Sequence, residues 1–291
     1  MMQTSNPHVP QNLRIAFIGG GNMANAMIGG LLNKNVQASN MLAIDPLQLA
    51  RDNLIKSFEI NVASDISQGE DFFSKNCLII LAVKPQQLRE ALAQLRQTLE
   101  SPKTLQCTHL FLSIVAGVQL ADITIHLNQS QLVRAMPNTP ALIGKGVTGL
   151  YASPEISQND QALITWVCDS IGQSIWVSQE HLLDSVTALS GSGPAYVFSF
   201  IEHLQLAGQK LGLSPDQANQ LAIQTVIGAG LLANASPETP ATLREKVTSK
   251  GGTTFAALEV LKEKHWGEIL QEAVHTAHAR SVAMGQEFSE K

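Results

Sequence analysis

The segment Gly19-Gly20-Gly21-Asn22-Met23-Ala24 constrains the fold more than any other part of the chain. It follows an apolar run, Arg14–Ile18, that reads as a buried strand. It opens a stretch, Asn22–Leu32, with helical spacing of apolar residues. In that setting each small residue has a job. Gly19 permits a tight turn, Gly21 lets backbone approach a pyrophosphate, and Ala24 lets helix pack closely on sheet. The first amides of the helix, around Asn22 and Met23, can hold an anion. A tight turn in another α/β fold is the plain alternative. A dinucleotide, NADH or NADPH, is the expected cofactor.

The rest of the first half keeps the same rhythm. Met41–Ile44, Leu78–Val83 and Leu110–Ala116 read as strands, with Leu132–Ala135 as one more. Helices are expected from Pro46 to about Ser57, over Gln86–Leu99 and near Leu120–His126. Near-continuous apolar strands alternating with helices predict a mostly parallel sheet covered on both faces, an α/β Rossmann-type domain. After about Val177 the rhythm changes, and only helices are expected: Ala195–Leu211, Pro215 to about Ala233, a shorter one at Pro240, Phe255–Lys264 and Trp266–Gly285. The predicted organisation is a polar leader at 1–11, a dinucleotide-binding domain at 12–178 and an all-helical domain at 179–291. Long apolar segments such as Leu221–Leu232 need cover, which a second subunit would supply.

Bulk composition excludes several classes. Of 291 residues 44% are hydrophobic and 15% charged, which argues against global disorder. The net charge of −5 offers no broad basic surface for nucleic acid. No apolar stretch is long enough for a membrane span, and the start lacks a secretory signal. Cys77, Cys107 and Cys168 show no metal-ligand spacing and read as reduced thiols of a cytoplasmic protein. Glu272 and His275 have Glu-x-x-His spacing, but no second pair accompanies them, so no metal is expected.

Four further segments carry polar chemistry. Asp45 ends the second strand, where a carboxylate can accept from an adenine-ribose hydroxyl and would repel a 2′-phosphate. It could equally cap the following helix. Ala82-Val83-Lys84-Pro85 ends the third strand, at the edge that faces ligand in this architecture, and Lys84 could reach a phosphate or ribose. Arg134-Ala135-Met136-Pro137-Asn138-Thr139-Pro140 is a stiff loop that either walls a nicotinamide pocket or links sheet to later elements; Arg134 reads as structural. In Thr248-Ser249-Lys250-Gly251-Gly252-Thr253-Thr254, successive amides around Gly251 and Gly252 can form an anion nest before a helix. A capped helix start is its bland reading. Ser190-Gly191-Ser192-Gly193-Pro194 does not fit a nucleophile elbow.

Gly19 to Met23, Ala82 to Pro85, Arg134 to Pro140, Ala188 to Tyr196, and Val247 to Ser249 with Gly251 to Thr254 together resemble the pyrroline-5-carboxylate reductase family, in that family's order along the chain. The resemblance implies reduction of 1-pyrroline-5-carboxylate to L-proline, the last step of proline biosynthesis, by hydride transfer from NADPH or NADH. It implies an amino-terminal Rossmann domain, a helical dimerisation domain, and an active site that draws on both domains and both subunits of a homodimer, in some members assembled into a decamer. By that likeness Ser249, Gly252 and Thr253 hold the substrate carboxylate, Thr254 lies by the ring nitrogen as the catalytic-site residue, and Pro137 and Asn138 border the nicotinamide. One departure stands out: the family usually has proline where this chain has Lys250. Competing readings are a dehydrogenase of small keto or hydroxy acids, with Lys246 or Lys250 handling a carbonyl oxygen, and a non-catalytic nucleotide sensor.

Overall fold

The computed structural model describes residues 12–289; the expected leader at 1–11 lies outside them. The chain forms two compact units. The first comprises residues up to Gly191 and those from His278 onward, and the second is Ser192–Ala277.

Eight strands form one sheet in the first unit: β1 (Ile15–Ile18), β2 (Met41–Ile44), β3 (Asn61–Ala63), β4 (Leu78–Leu81), β5 (Leu110–Ser113), β6 (Leu132–Met136), β7 (Gly146–Ala152) and β8 (Gly172–Trp176). Their order is β3-β2-β1-β4-β5-β6-β7-β8. The first six run parallel, β7 is antiparallel to β6, and β8 is parallel to β7. Helices α1 (Asn22–Asn33), α2 (Gln48–Phe58), α3 (Glu70–Phe73), α4 (Pro85–Leu99), α5 (Leu120–Leu127), α6 (Gln158–Cys168) and α7 (Leu182–Val186) surround it.

The pleat explains the two-faced cover. Ile15 and Phe17 of β1 point into one core with Met27, Ile28 and Leu31 of α1 and Ile164 and Val167 of α6. Ala16 and Ile18 point the other way, against Leu88, Leu92 and Leu95 of α4. Strands buried on both faces have no polar side to show, which is why β1, β2 and β4 are unbroken apolar runs.

Several boundaries differ from the sequence reading. The helix expected at Pro46 starts at Gln48, because the Asp45 carboxylate takes the Leu47 amide and shapes a turn first. The strand expected to reach Ala116 ends at Ser113, ahead of a turn with Gly117 at φ +77°. β3, β7, β8 and α6 were not anticipated. β7 carries two glycines, and β8 alternates half-buried and exposed residues at the sheet edge, so neither reads as an apolar run. The sequence reading divided the chain at 178/179, whereas the compact units divide between Gly191 and Ser192. The reason is close packing of α7 on β7: a Cβ on Gly149 would lie 2.7 Å from a Val186 methyl.

At the edge where β4 and β5 begin, His109 sits 3% exposed, its Nδ1 3.2 Å from the Cys77 sulfur. The rings of Phe73 and Phe111 stand edge-on to it. Its Nε2 is buried without a hydrogen-bond partner among the described residues. Burial holds the imidazole pKa down at about 4, from an ordinary 6.5, and pushes the Cys77 thiol up to about 12. A histidine with a depressed folded pKa resists protonation in the fold but not in the unfolded chain. Its contribution is therefore constant above pH 6.5 and turns unfavourable as pH falls from 6.5 towards 4. The accumulated loss is about 3 kcal/mol, at 1.36 kcal/mol per unit. Urea unfolding across that window should show wild type losing this much more than His109→Phe; parallel curves would refute it.

The second unit holds α8 (Gly193–Lys210), α9 (Pro215–Ala235), α10 (Pro240–Lys246) and α11 (Thr253–Glu263), together with the first part of α12 (Trp266–Ser289). Ser214 caps α9 reciprocally with Gln217, as the Ser-Pro start predicts. Little of this unit is covered. Only Ala218 and Ala222 are buried on α9, while Phe198 is 63% and Leu231 65% exposed. From His278 the last helix belongs to the first unit, where Ser281 donates a buried 2.7 Å hydrogen bond to Asp184 and Arg89 donates to the Phe288 carbonyl.

Candidate active site

The sheet order reverses between β1 and β4, and the carboxyl ends on either side of that switch point bound the crevice where open α/β sheets take ligands. Gly19 leaves β1 there with φ +105°, and a Cβ on it would lie 2.7 Å from the Ala82 carbonyl oxygen. No L side chain fits. The Gly19 amide donates to the Ile44 carbonyl and the Ala82 amide to the Ile18 carbonyl, both at 2.8 Å, so the ends of β1, β2 and β4 are stitched together. Gly21 is the N-cap of α1, exposed, with nothing within 4 Å of the position of a Cβ and no side chain capping the helix. The first-turn amides beyond it have no intrahelical acceptor. Asn22 is exposed and Met23 half-buried beside them. Open space over an uncapped helix start fits a pyrophosphate.

Asp45 works on the protein itself. One carboxylate oxygen accepts the Gly20 amide at 2.8 Å and the other the Leu47 amide at 2.9 Å. The Gly20 amide is thereby spent on Asp45, not left for an anion. Arg51 donates to the backbone carbonyls of Asp45 and Pro46, which holds its guanidinium at the turn after β2. Asn25, which the sequence reading passed over, donates to the carbonyls of Gly20 and Gly21 at 2.8 and 2.9 Å and locks the glycine turn. Its signal was its position one helical turn beyond Gly21.

Ala82 and Val83 follow β4, Lys84 is the exposed N-cap of α4, and Pro85 is that helix's first residue. Pro137 and Asn138 follow β6 and are both buried. The Asn138 amide is engaged at both ends: Nδ2 donates to the Ser190 carbonyl at 3.1 Å, and Oδ1 accepts the Val147 amide at 2.9 Å. Arg134 is 3% exposed and pairs with Glu180 at 3.1 Å, a structural position, as its sequence context predicts.

Within the second unit, the other polar segment is the loop between α10 and α11. Gly251 turns at φ +72°, and Gly252 is the N-cap of α11. The Gly252 amide donates to the Ser249 carbonyl at 3.0 Å. A Cβ on Gly252 would fall 2.5 Å from the Ser249 hydroxyl oxygen, so glycine lets that serine fold over the turn. The helix starts two residues earlier than expected, which puts Thr253 and Thr254 in its first turn. Ser249, Gly251 and Thr253 are exposed, and Gly252 and Thr254 half-buried. The loop is a set of small residues, hydroxyls and open first-turn amides suited to a carboxylate. Lys250 is exposed. Lys246 is held by both oxygens of Glu238, which disfavours it as a carbonyl-handling lysine.

Among the described residues, no group of three or more His, Cys, Asp or Glu could hold a metal ion, and no helix is long and apolar enough to cross a membrane.

Comparison with known proteins adds an independent line. A family model described as pyrroline-5-carboxylate reductase dimerisation matches residues 180–284, and one described as NADP oxidoreductase coenzyme F420-dependent matches residues 14–109. The chain is 36% identical to a pyrroline-5-carboxylate reductase of Pseudomonas aeruginosa, over 95% of this chain and 98% of that protein. It is 32% identical to one from Arabidopsis thaliana, over 96% and 98%. Among solved structures, a pyrroline-5-carboxylate reductase from Coxiella burnetii superposes with a TM-score of 0.85 at 33% identity, covering 94% of this chain and 98% of that one. A Plasmodium falciparum pyrroline carboxylate reductase with NADP bound superposes with a TM-score of 0.80 at 28% identity, over 94% and 99%.

Proposed function

The chain belongs to the pyrroline-5-carboxylate reductase family, and from that premise we propose how its residues share the work of reducing 1-pyrroline-5-carboxylate to L-proline. It is a nicotinamide-dependent oxidoreductase of proline biosynthesis. The observation that carries the residue-level reading is the open, uncapped amino end of α1 at the β1/β4 switch point.

Gly19 shapes the turn, and Gly21, with the amides of Asn22 and Met23, takes the pyrophosphate. Ala82, Val83, Lys84 and Pro85 line the next strand end and steer the dinucleotide across it. Asp45 faces the adenine ribose and favours NADH. Arg51, held by the Asp45 and Pro46 carbonyls, brings a positive charge to the same turn, so that NADPH is accepted too. When bound, the reduced cofactor supplies the hydride. Catalytic efficiency measured with each dinucleotide reads the preference.

Ser249, Gly251, Gly252 and Thr253 hold the substrate carboxylate, and Thr254 orients the ring nitrogen. The chain's task is alignment, since a reacting pair held at close range gains most of what a solution encounter lacks. Thr254→Ala should lower kcat/KM about tenfold to a hundredfold, the worth of a hydrogen bond to a charged group. Cofactor affinity should stay within about twofold, because the residue belongs to the substrate loop. Unchanged kinetics would remove Thr254 from the site.

The expected division into 12–178 for the nucleotide and 179–291 for dimerisation and substrate is a division of roles; in the fold, Ser192–Ala277 form the unit that carries the substrate loop and the uncovered helices. The uncovered apolar residues of α8 and α9 support a homodimer, since a single unit leaves them in water. A monomer in sedimentation at every concentration would overturn that. Three free cysteines fit a cytoplasmic setting. The decisive assay supplies racemic 1-pyrroline-5-carboxylate, follows cofactor oxidation and identifies proline. A parallel panel of keto acids tests the dehydrogenase reading, which the engaged Lys246 disfavours.

A further inference from the structure

Pro194 lies in the first turn of α8 and has no amide hydrogen, so the carbonyl four residues before it, that of Ser190, lacks the usual helical donor. Around that carbonyl the chain does not run as a regular α-helix. Thr187–Gly191 forms a π-turn between α7 and α8, a wide turn in which the ordinary bonding pattern is displaced. The missing donor comes from the sheet: Asn138 Nδ2, 3.1 Å away. The same side chain accepts the Val147 amide at the start of β7. Asn138 is 8% exposed, and its neighbour Met136 fills the space over the π-turn, with its terminal methyl 3.0 Å from where a Gly191 Cβ would be.

We propose that Asn138 is a positioning residue, a clamp that ties the ends of β6 and β7 to the last turn of the first unit before the chain passes to the second. Resting on the function proposed above, this inference replaces a direct contact between Asn138 and the cofactor with an indirect role. At neutral pH an amide donates to a carbonyl and accepts from an amide at once, without carrying charge. Leucine would match its volume and satisfy neither group. Aspartate would keep the Val147 bond and oppose the Ser190 carbonyl with a charge. By fixing the π-turn, the clamp keeps the ends of β6 and β7, where Pro137 sits, in one arrangement. It therefore acts on the alignment of the bound reactants, not on how tightly the dinucleotide is held.

Asn138→Asp separates these roles by pH. Near neutral and alkaline pH the new carboxylate cannot donate, and turnover should fall at least about tenfold while the cofactor dissociation constant stays within about twofold. As pH falls, the buried carboxyl group gains a proton early, because burial disfavours its charged form. It can then donate to Ser190, so kcat relative to wild type should climb. Hydrogen exchange over residues 187–197, faster than wild type at high pH and recovering at low pH, reads the clamp without any turnover. It keeps the test decisive if wild type proves inactive on the imine, an outcome that would sink the proposed reaction alone. Should Asn138→Asp fail to fold, Asn138→Ser, which is short of the Ser190 carbonyl, must show the same turnover loss and exchange. A pH-independent ratio with unaltered exchange, or a cofactor constant that rises in step with the loss of kcat, would overturn the proposal.

Discussion

Gly21→Asp is expected to abolish cofactor binding and to leave the fold at least as stable as before. The residue is exposed, its φ of −72° and ψ of −176° suit any amino acid, and nothing lies within 4 Å of a Cβ placed there. Aspartate is also a better N-cap than glycine, by a few tenths of a kcal/mol, and its charge suits the positive end of a helix dipole. What stabilises the empty protein blocks the ligand. The new carboxylate occupies the same first-turn amides that the pyrophosphate requires and opposes it with like charge. At about 4 Å and an effective dielectric near 20, one unit charge against another costs about 4 kcal/mol. About 2.7 kcal/mol already raises a dissociation constant a hundredfold. Fluorescence titration with NADH and NADPH, paired with thermal unfolding, measures both halves. Gly21→Ala separates charge from bulk and should bind far better than the aspartate variant. Tight binding by Gly21→Asp would show that the dinucleotide does not cross this helix end. Gly19→Ala makes the contrast: at φ +105°, with a Cβ 2.7 Å from a carbonyl oxygen, the same motif tolerates no addition and the fold itself gives way.

That difference marks how far the sequence could be read. β1, β2, β4 and β5 were legible because each is a short apolar run buried on both faces, a local signal. β8 was not, because at a sheet edge Gly172–Trp176 keeps only alternate residues half-buried. The dense polar loops announced themselves as candidate sites, since Gly251 and Gly252 among hydroxyls have few structural uses. What the polar groups actually bond was hidden. Asp45 reads as a ribose ligand and in the fold also braces Gly20 and Leu47. Asn138 reads as a group presented to ligand and spends its amide on two backbone partners. Those partners are fixed by tertiary structure, and no spacing in the chain encodes them.

Glu180 is the clearest case of such a hidden residue, and removing it is expected to destabilise the protein severely. Its Oε1 accepts from Arg134 at 3.1 Å and from the Leu120 amide at 2.8 Å, so one atom neutralises a cation on β6 and satisfies the first orphan amide of α5. The Arg134 side chain is 4% exposed. In Glu180→Ala that guanidinium stays buried without its counter-charge, a change that typically costs about 3–5 kcal/mol. A domain's whole stability is about 5–15 kcal/mol. Glu180→Gln keeps an acceptor for both donors and should lose less than half as much. The test of cause is the double variant. If the penalty comes from stranding the charge, Arg134→Met combined with Glu180→Ala should unfold at higher denaturant than Glu180→Ala alone, because the group that suffered is gone. Strict additivity of the two single losses would mean that Arg134 and Glu180 contribute separately. The ordering also bears on function. Arg134 stands on β6 two residues before Met136, the strand end from which Pro137 and Asn138 emerge. A weakened pair should therefore loosen that edge of the sheet, and kcat should fall with temperature before global unfolding is detected.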